Sequence, residues 1–138
     1  MSALVLDASA AIGLLAPSQS SPALAQLAAD LADCELIAPA VFAVELRHAL
    51  LKLERRRLVG PSALDQDLPN LERLITRAPP LSRREEAAAL ELARVEHLGF
   101  YDAIYLDLAA RISASLATRD DPLIAAALRR GVAVTDLR

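Results

Sequence analysis

The chain of 138 residues has one cysteine, Cys34, so neither an internal disulfide framework nor a cysteine-built zinc cage can form. Cys34 reads as a small buried residue near a strand rather than a nucleophile, and it fits a reducing cytosol. Tryptophan is absent, and two tyrosines and two phenylalanines are the only aromatics. The core must therefore be aliphatic, and platforms on which unpaired bases could stack are scarce. Lysine is nearly absent as well. Lys52 is the only one, and arginine, the better residue for gripping phosphate through paired hydrogen bonds, supplies the other cations. No apolar run reaches the roughly 18 residues of a membrane span, and the N-terminus lacks the charged region of a signal peptide. The expectation is a soluble cytoplasmic protein without membrane association.

What is present is a hydrophobic fraction of 54%, rich in alanine and leucine, which supports an ordered core and excludes a disordered chain. The length suits one domain spanning 1–138, and no repeat, low-complexity stretch or linker divides it. The net charge of −3 argues against a nucleic-acid partner unless acids gather around metal ions.

Along the chain, short apolar runs alternate with helical patterns. Ala3-Leu4-Val5-Leu6 reads as a buried strand ending at Asp7, followed by a helix from Ser9 to Leu15. Ser21-Pro22 opens a second helix to about Leu31, and Glu35 to Ala38 is a brief strand. A long helix is expected after Pro39, with apolar positions at Val41, Val44, Ala49 and Leu53, Arg55 to Arg57 crowding its last turn, and Gly60 ending it. Pro61 to Arg77 reads as a helix broken near Pro69, and Ile75 to Leu81 as a connector with a short extended piece. Ser82 and Glu85 fit a capping box for a helix running to about His97 and stopped by Gly99. Asp102 to Ile112 is the next helix, with Ala103, Leu106 and Ala110 as its stripe. A strand at Ser115 to Thr118, a helix from Asp121-Pro122 to Gly131 and a strand at Val132 to Val134 complete the chain. This alternation predicts an α/β fold, a central parallel sheet of four to five strands with helices on both faces.

Four of the 18 acids stand apart from the solvated charged faces. Asp7 ends the first strand, Glu45 lies between Val44 and Leu46, Asp102 lies in Phe100-Tyr101-Asp102-Ala103-Ile104, and Asp120 follows Leu116-Ala117-Thr118. Each has a plain structural role open to it. Asp7 and Asp102 could cap helices, Asp120 or Asp121 could cap the helix before Pro122, and Glu45 could pair with Arg47 or His48. A lone carboxylate is nevertheless expensive to bury, and two acids that follow strands of one parallel sheet emerge on the same edge. Carboxylates converging there would repel one another without a cation between them, and all-oxygen ligands favour Mg²⁺ or Mn²⁺. Setting those four charges aside leaves the rest of the chain at +1, from the net −3.

With their flanking residues, these acids resemble a PIN-domain nuclease, and more narrowly a VapC-type toxin ribonuclease of a type II toxin–antitoxin system. The marks are Val5-Leu6-Asp7-Ala8-Ser9, Phe42-Ala43-Val44-Glu45, Tyr101-Asp102-Ala103-Ile104-Tyr105-Leu106 and Leu116-Ala117-Thr118-Arg119-Asp120, spread over essentially the whole chain. The resemblance implies a PIN-like domain that hydrolyses RNA with Mg²⁺ or Mn²⁺, on structured substrates such as transfer RNA, and is neutralised by a cognate antitoxin, typically as a homodimer. It makes Asp7, Glu45, Asp102 and Asp120 the catalytic and metal-binding quartet. Asp7 and Asp102 would hold the principal ion, with Glu45 and Asp120 binding a second or positioning water. Ser9 and Thr118 match hydroxyl positions beside the first and last acids and, with Arg119 and Arg47, would contact substrate. The chain departs from the pattern at His48, where asparagine is common, and at Asp121, where a basic residue is common. Aliphatic helix faces between about Ala23 and Leu53 could bury the antitoxin or a second copy. Other readings are a different Mg²⁺-dependent phosphoryl-transfer enzyme and an inactive PIN-like interaction module. A receiver domain fits poorly without an acidic pair at the first strand, and a haloacid-type phosphatase fits poorly with Ser9 where its second aspartate belongs.

Overall fold

Val5 and Leu6 are wholly buried at the middle of the molecule, as an apolar run with helices on either side should be. In this computed structural model, which describes residues 2–138, they belong to β1 (Ser2–Leu6), the central strand of a five-stranded parallel sheet. The remaining strands are β2 (Cys34–Ala38), β3 (Ile75–Arg77), β4 (Ser115–Thr118) and β5 (Val134–Asp136). Around them lie the helices α1 (Ala8–Leu15), α2 (Pro22–Asp30), α3 (Phe42–Arg55), α4 (Leu68–Glu72), α5 (Arg83–Glu96), α6 (Phe100–Arg111) and α7 (Asp121–Arg129). No helix among the described residues is long and apolar enough to cross a membrane.

The sheet order is β3-β2-β1-β4-β5. The chain winds outward from β1 through β2 to β3, then crosses back to place β4 on the other side of β1. Strand order therefore reverses between β1 and β4. A crevice opens at such a reversal, outside the carboxyl ends of the strands, and ligands of open α/β sheets bind there. Leu6 lies opposite Ala117 in register, so the residues that follow, Asp7 on one strand and Thr118 on the other, meet at that crevice.

The core is aliphatic, with Leu6, Leu24, Leu36, Leu46, Leu50 and Leu116 among its fully buried side chains. Several boundaries depart from the sequence expectation for identifiable reasons. On α3 the buried stripe is Phe42, Leu46 and Leu50, a strict four-residue spacing, while Val44 is 71% exposed. The alternative stripe through Val44 would have turned Glu45 elsewhere. The helix also ends at Arg55, short of Gly60. Between Pro61 and Arg77 a wide turn (Ala63–Asp67) leads into α4, which accepts Pro69 because Pro69 sits in the first turn, where an N–H has no helical partner. The extended piece anticipated beyond it is β3.

The capping box of Ser82 and Glu85 is present. His97, at φ 55°, ends α5 in the left-handed region, and Gly99 instead begins α6 as its N-cap. Asp102 is thus inside the first turn of α6 rather than its cap. Ala103 and Leu106 are buried, but Ala110 faces solvent. The last strand is displaced to Val134–Asp136.

Candidate active site

Asp7 is 3% exposed, and Thr118 beside it is wholly buried. Asp7 caps α1, its Oδ1 accepting from Ala10 N–H at 2.8 Å. Ser9 donates its hydroxyl to the same oxygen at 2.8 Å, and Thr118 donates to Oδ2. A carboxylate offers about four acceptor sites. The chain fills three of them, which leaves one open on Oδ2. Cap and site residue are therefore compatible roles for Asp7.

The two hydroxyls hold the ends of β1 and β4 together. Ser9 Oγ accepts from Arg119 N–H at 3.0 Å and lies 3.3 Å from Thr118 Oγ1. Thr118 Oγ1 accepts from Asp120 N–H at 3.0 Å. Asp120 in turn caps α7, its Oδ2 accepting from Leu123 N–H at 3.0 Å. Thr118 has no exposed surface, so the expected substrate contact is corrected: its hydroxyl orients Asp7. Ser9 shares that task and also lines an open cleft of about 310 Å³ with Ile12, Gln19, Arg119 and Asp120.

The other two acids reach the same crevice from helices. Glu45 lies in the first turn of α3 and Asp102 in the first turn of α6. Burial lifts the Asp102 carboxyl to about 6, reinforced by the charges of Asp120, Asp7 and Glu45. Asp7 is also raised, first by burial, which outweighs its hydrogen bonds from Thr118, Ala10 and Ser9, with the Asp120 charge adding to the rise. Glu45 is raised by burial and by the charge of Asp7, against the hydrogen bond it receives. Four carboxylates from four segments of chain thus act on one another at one end of the sheet.

A model of the PIN domain matches residues 4–128. The chain belongs to the PIN-domain family. PIN domains are nucleases. No curated protein sequence matches the chain. Solved structures of similar fold include PAE2754 from Pyrobaculum aerophilum, with a TM-score of 0.74 and 21% identity over 97% of this chain and 90% of that one. VapBC2 from Rickettsia felis, bound to a DNA fragment from its promoter, gives 0.68 and 12% over 99% of each chain. FitAcB from Neisseria gonorrhoeae gives 0.62 and 24% over 95% of each chain.

Within this PIN domain, Tyr105 is a polar contributor that sequence reasoning passed over. It is 1% exposed, and its hydroxyl donates to Glu45 Oε1 at 2.8 Å. The signal was available: Tyr105 stands three residues after Asp102 on one helix, so both face the same way. Its own ionisation is pushed up, by burial and then by the Glu45 charge, which keeps it a donor. Tyr105→Phe is expected to lower turnover about tenfold, as loss of an outer-sphere partner does. Because that hydrogen bond holds the Glu45 carboxyl down, the acid limb of the rate profile should move to higher pH. A profile that does not move would restrict Tyr105 to packing.

Arg47 is corrected. It stands two residues past Glu45 and so points to another side of α3. There it donates to both oxygens of Glu72, at 2.8 and 2.9 Å, and to Ala43 C=O at 2.9 Å. That bidentate pair commits its charge to Glu72, on a side of α3 other than the one that carries Glu45. Arg119 makes no ion pair among the described residues and stays beside the cleft. Asp121, an unwelcome charge by sequence, is bound by Arg138 Nη1 at 2.8 Å. Phe100 and Tyr101, just before Asp102, are exposed.

The donor set suits a hard divalent cation. Every candidate ligand is oxygen, which disfavours zinc and softer metals, and burial, with their mutual repulsion adding to it, raises three of the four carboxylates. Among the described residues no three His, Cys, Asp or Glu side chains stand close enough to enclose an ion directly. Mg²⁺ fits such a set, since it keeps several waters and takes only one or two carboxylates.

Proposed function

We propose that this PIN domain, one unit across residues 1–138, is a Mg²⁺- or Mn²⁺-dependent endoribonuclease acting as the toxin of a toxin–antitoxin pair. The observation that carries the proposal is the convergence of Asp7, Glu45, Asp102 and Asp120 at the reversal between β1 and β4. Asp7 Oδ2 and Asp102 would hold the principal ion, and Glu45 and Asp120 would act through water or a second ion. A bound ion of this kind supplies charge stabilisation for the phosphoryl group and a water of lowered pKa.

The protein's own residues do the positioning. Ser9, Thr118 and Ala10 fix the Asp7 carboxylate in one orientation, Tyr105 fixes that of Glu45, and the α7 N-terminus fixes that of Asp120. Arg119, beside the cleft, is the cation assigned to the scissile or neighbouring phosphate. The similar folds include VapBC2 and FitAcB, which supports a cognate antitoxin as partner, with a homodimer as the working form. RNA rather than DNA as substrate, transfer RNA included, belongs to the same proposal, as does a cytoplasmic location.

Purified protein is expected to cleave RNA with Mg²⁺ or Mn²⁺ and to stop when EDTA removes the metal. Thermal melting should rise on adding Mn²⁺, because an ion that binds only the folded state stabilises it. Cleavage that persists in EDTA would remove the metal from the mechanism.

A further inference from the structure

Seven of the fifteen lysines and arginines of this chain form ion pairs within it. Arg47 and Arg77 share Glu72, Arg129 and Arg130 share Glu96, and Arg138 bridges Asp121 and Asp136. Four of the other eight are concentrated at the end of α3. Lys52, Arg55, Arg56 and Arg57 are all exposed and pair with no carboxylate among the described residues. The one acid in that stretch, Glu54, is half-buried and makes no ion pair with them. A helix C-terminus carries roughly half a negative charge, so a single cation would satisfy it. Four leave a surplus, in a chain whose net charge is −3.

The position of this surplus connects it to the carboxylates. Glu45 opens α3, and Arg55 follows ten residues later on the same rigid helix, which places them about 15 Å apart along its axis at 1.5 Å per residue. Val44, His48, Leu51 and Arg55 are exposed at four-, three- and four-residue steps, so one continuous stripe runs between the two. That stripe bears no acid.

We infer that the C-terminal end of α3 is a second phosphate-binding site, which holds the backbone of an RNA whose cleaved linkage lies at the carboxylate crevice. The inference rests on the proposed ribonuclease function and defines its substrate as an RNA long enough to span both places. The separation of about 15 Å exceeds the roughly 8 Å screening length of physiological salt, so the site acts on binding and not on the chemical step.

The test combines Lys52→Gln, Arg55→Gln, Arg56→Gln and Arg57→Gln in one protein. Binding of an RNA hairpin is followed by fluorescence anisotropy over a range of salt, in the Asp7→Asn background so that the probe survives. Removing four phosphate contacts should make the slope of log affinity against log salt shallower by roughly 2–3, at about 0.7 per contact for single strands. With Asp7 intact, the KM for hairpin cleavage should rise about tenfold or more, while cleavage of a dinucleotide, too short to reach α3, stays unchanged. An unaltered slope would overturn the inference, as would an equal loss on the dinucleotide. Duplex DNA bound as tightly as the hairpin, with the same change of slope, would reassign the site to polyanions in general. A change of sedimenting mass in the variant would reassign it to a subunit contact. A parent protein that cleaves no RNA overturns the ribonuclease reading, whereas a parent that cleaves, with a slope the substitutions leave alone, overturns this inference only.

Discussion

Asp7→Asn is expected to reduce RNA cleavage by roughly a thousandfold or more, the scale of losing a principal catalytic group, and to leave the folded state at least as stable as before. The hydrogen bonds explain why both halves should hold. Asparagine keeps Oδ1, which can still accept from Ser9 and from Ala10 N–H, so α1 keeps its cap. The new amide nitrogen replaces Oδ2 and must donate. Thr118 Oγ1 already accepts from Asp120 N–H and has a second lone pair to receive it. The freed Thr118 hydroxyl then has Ser9 Oγ as a partner, 3.3 Å away. The polar network closes again without a charge, and the desolvation that raises the Asp7 carboxyl disappears. What is lost is the one open anionic acceptor, on Oδ2. Asp7→Ala is the poorer experiment, because it also removes an N-cap worth about 1 kcal/mol and leaves the buried Thr118 hydroxyl and the half-buried Ser9 hydroxyl short of a partner. Activity within a few-fold of the parent in Asp7→Asn, with the fold retained, would take Asp7 out of the site.

The ends of β1 and β4 were readable because a parallel sheet delivers every strand's C-terminus to one edge. Asp7 and Asp120 could be placed there from residue order alone. The reversal of strand order between them could not, since nothing local in Leu116-Ala117-Thr118 records which neighbour β4 will choose. Glu45 shows a different limit. As a charge between Val44 and Leu46 it stood out, but the helical stripe assumed for its neighbours was wrong. The buried face is set by Phe42, Leu46 and Leu50, and Val44 lies in solvent. The partner that matters to Glu45, Tyr105, is 60 residues away in sequence and was legible only as the residue one helical turn beyond Asp102. Arg47 failed for the converse reason, because its nearness in sequence to Glu45 places it on another side of α3, where Glu72, 25 residues on, binds it. Asp121 was legible as an added negative charge, but its balancing cation is Arg138, which the chain brings back at its far end.

Asp102→Asn should raise the melting temperature of the metal-free protein near neutral pH while abolishing most cleavage, and this combination separates a functional carboxylate from a structural one. Its carboxyl sits at about 6 against an ordinary 3.8, lifted by burial and by three neighbouring anions, with no hydrogen bond to offset them. A carboxyl raised in the folded state binds its proton more tightly there than in the unfolded chain. Its favourable contribution is fully present below the unfolded value and is lost as pH rises through about 6. Asp7 and Glu45 are raised too and act in the same sense. Opposing them are Glu72 and Asp136, which their arginine partners hold down, Asp136 to about 2. Those contributions are kept above the unfolded values and vanish only as pH falls through the lowered ones. The metal-free protein should therefore gain stability as pH falls from about 7.5 to about 5.5, and lose it again in stronger acid. Asp102→Asn removes one source of the first trend. Melting near pH 7.5 should rise by roughly 3–6 °C, the shift that about 1 kcal/mol produces in a domain of this size, and the slope with pH should flatten. Mn²⁺ should then stabilise the parent more than the variant, because the charge that destabilises the empty crevice is the charge that binds the ion. A variant that melts lower than the parent near pH 7.5 would make Asp102 a structural residue. A parent insensitive to pH across that window would mean that the carboxylates do not repel one another in solution.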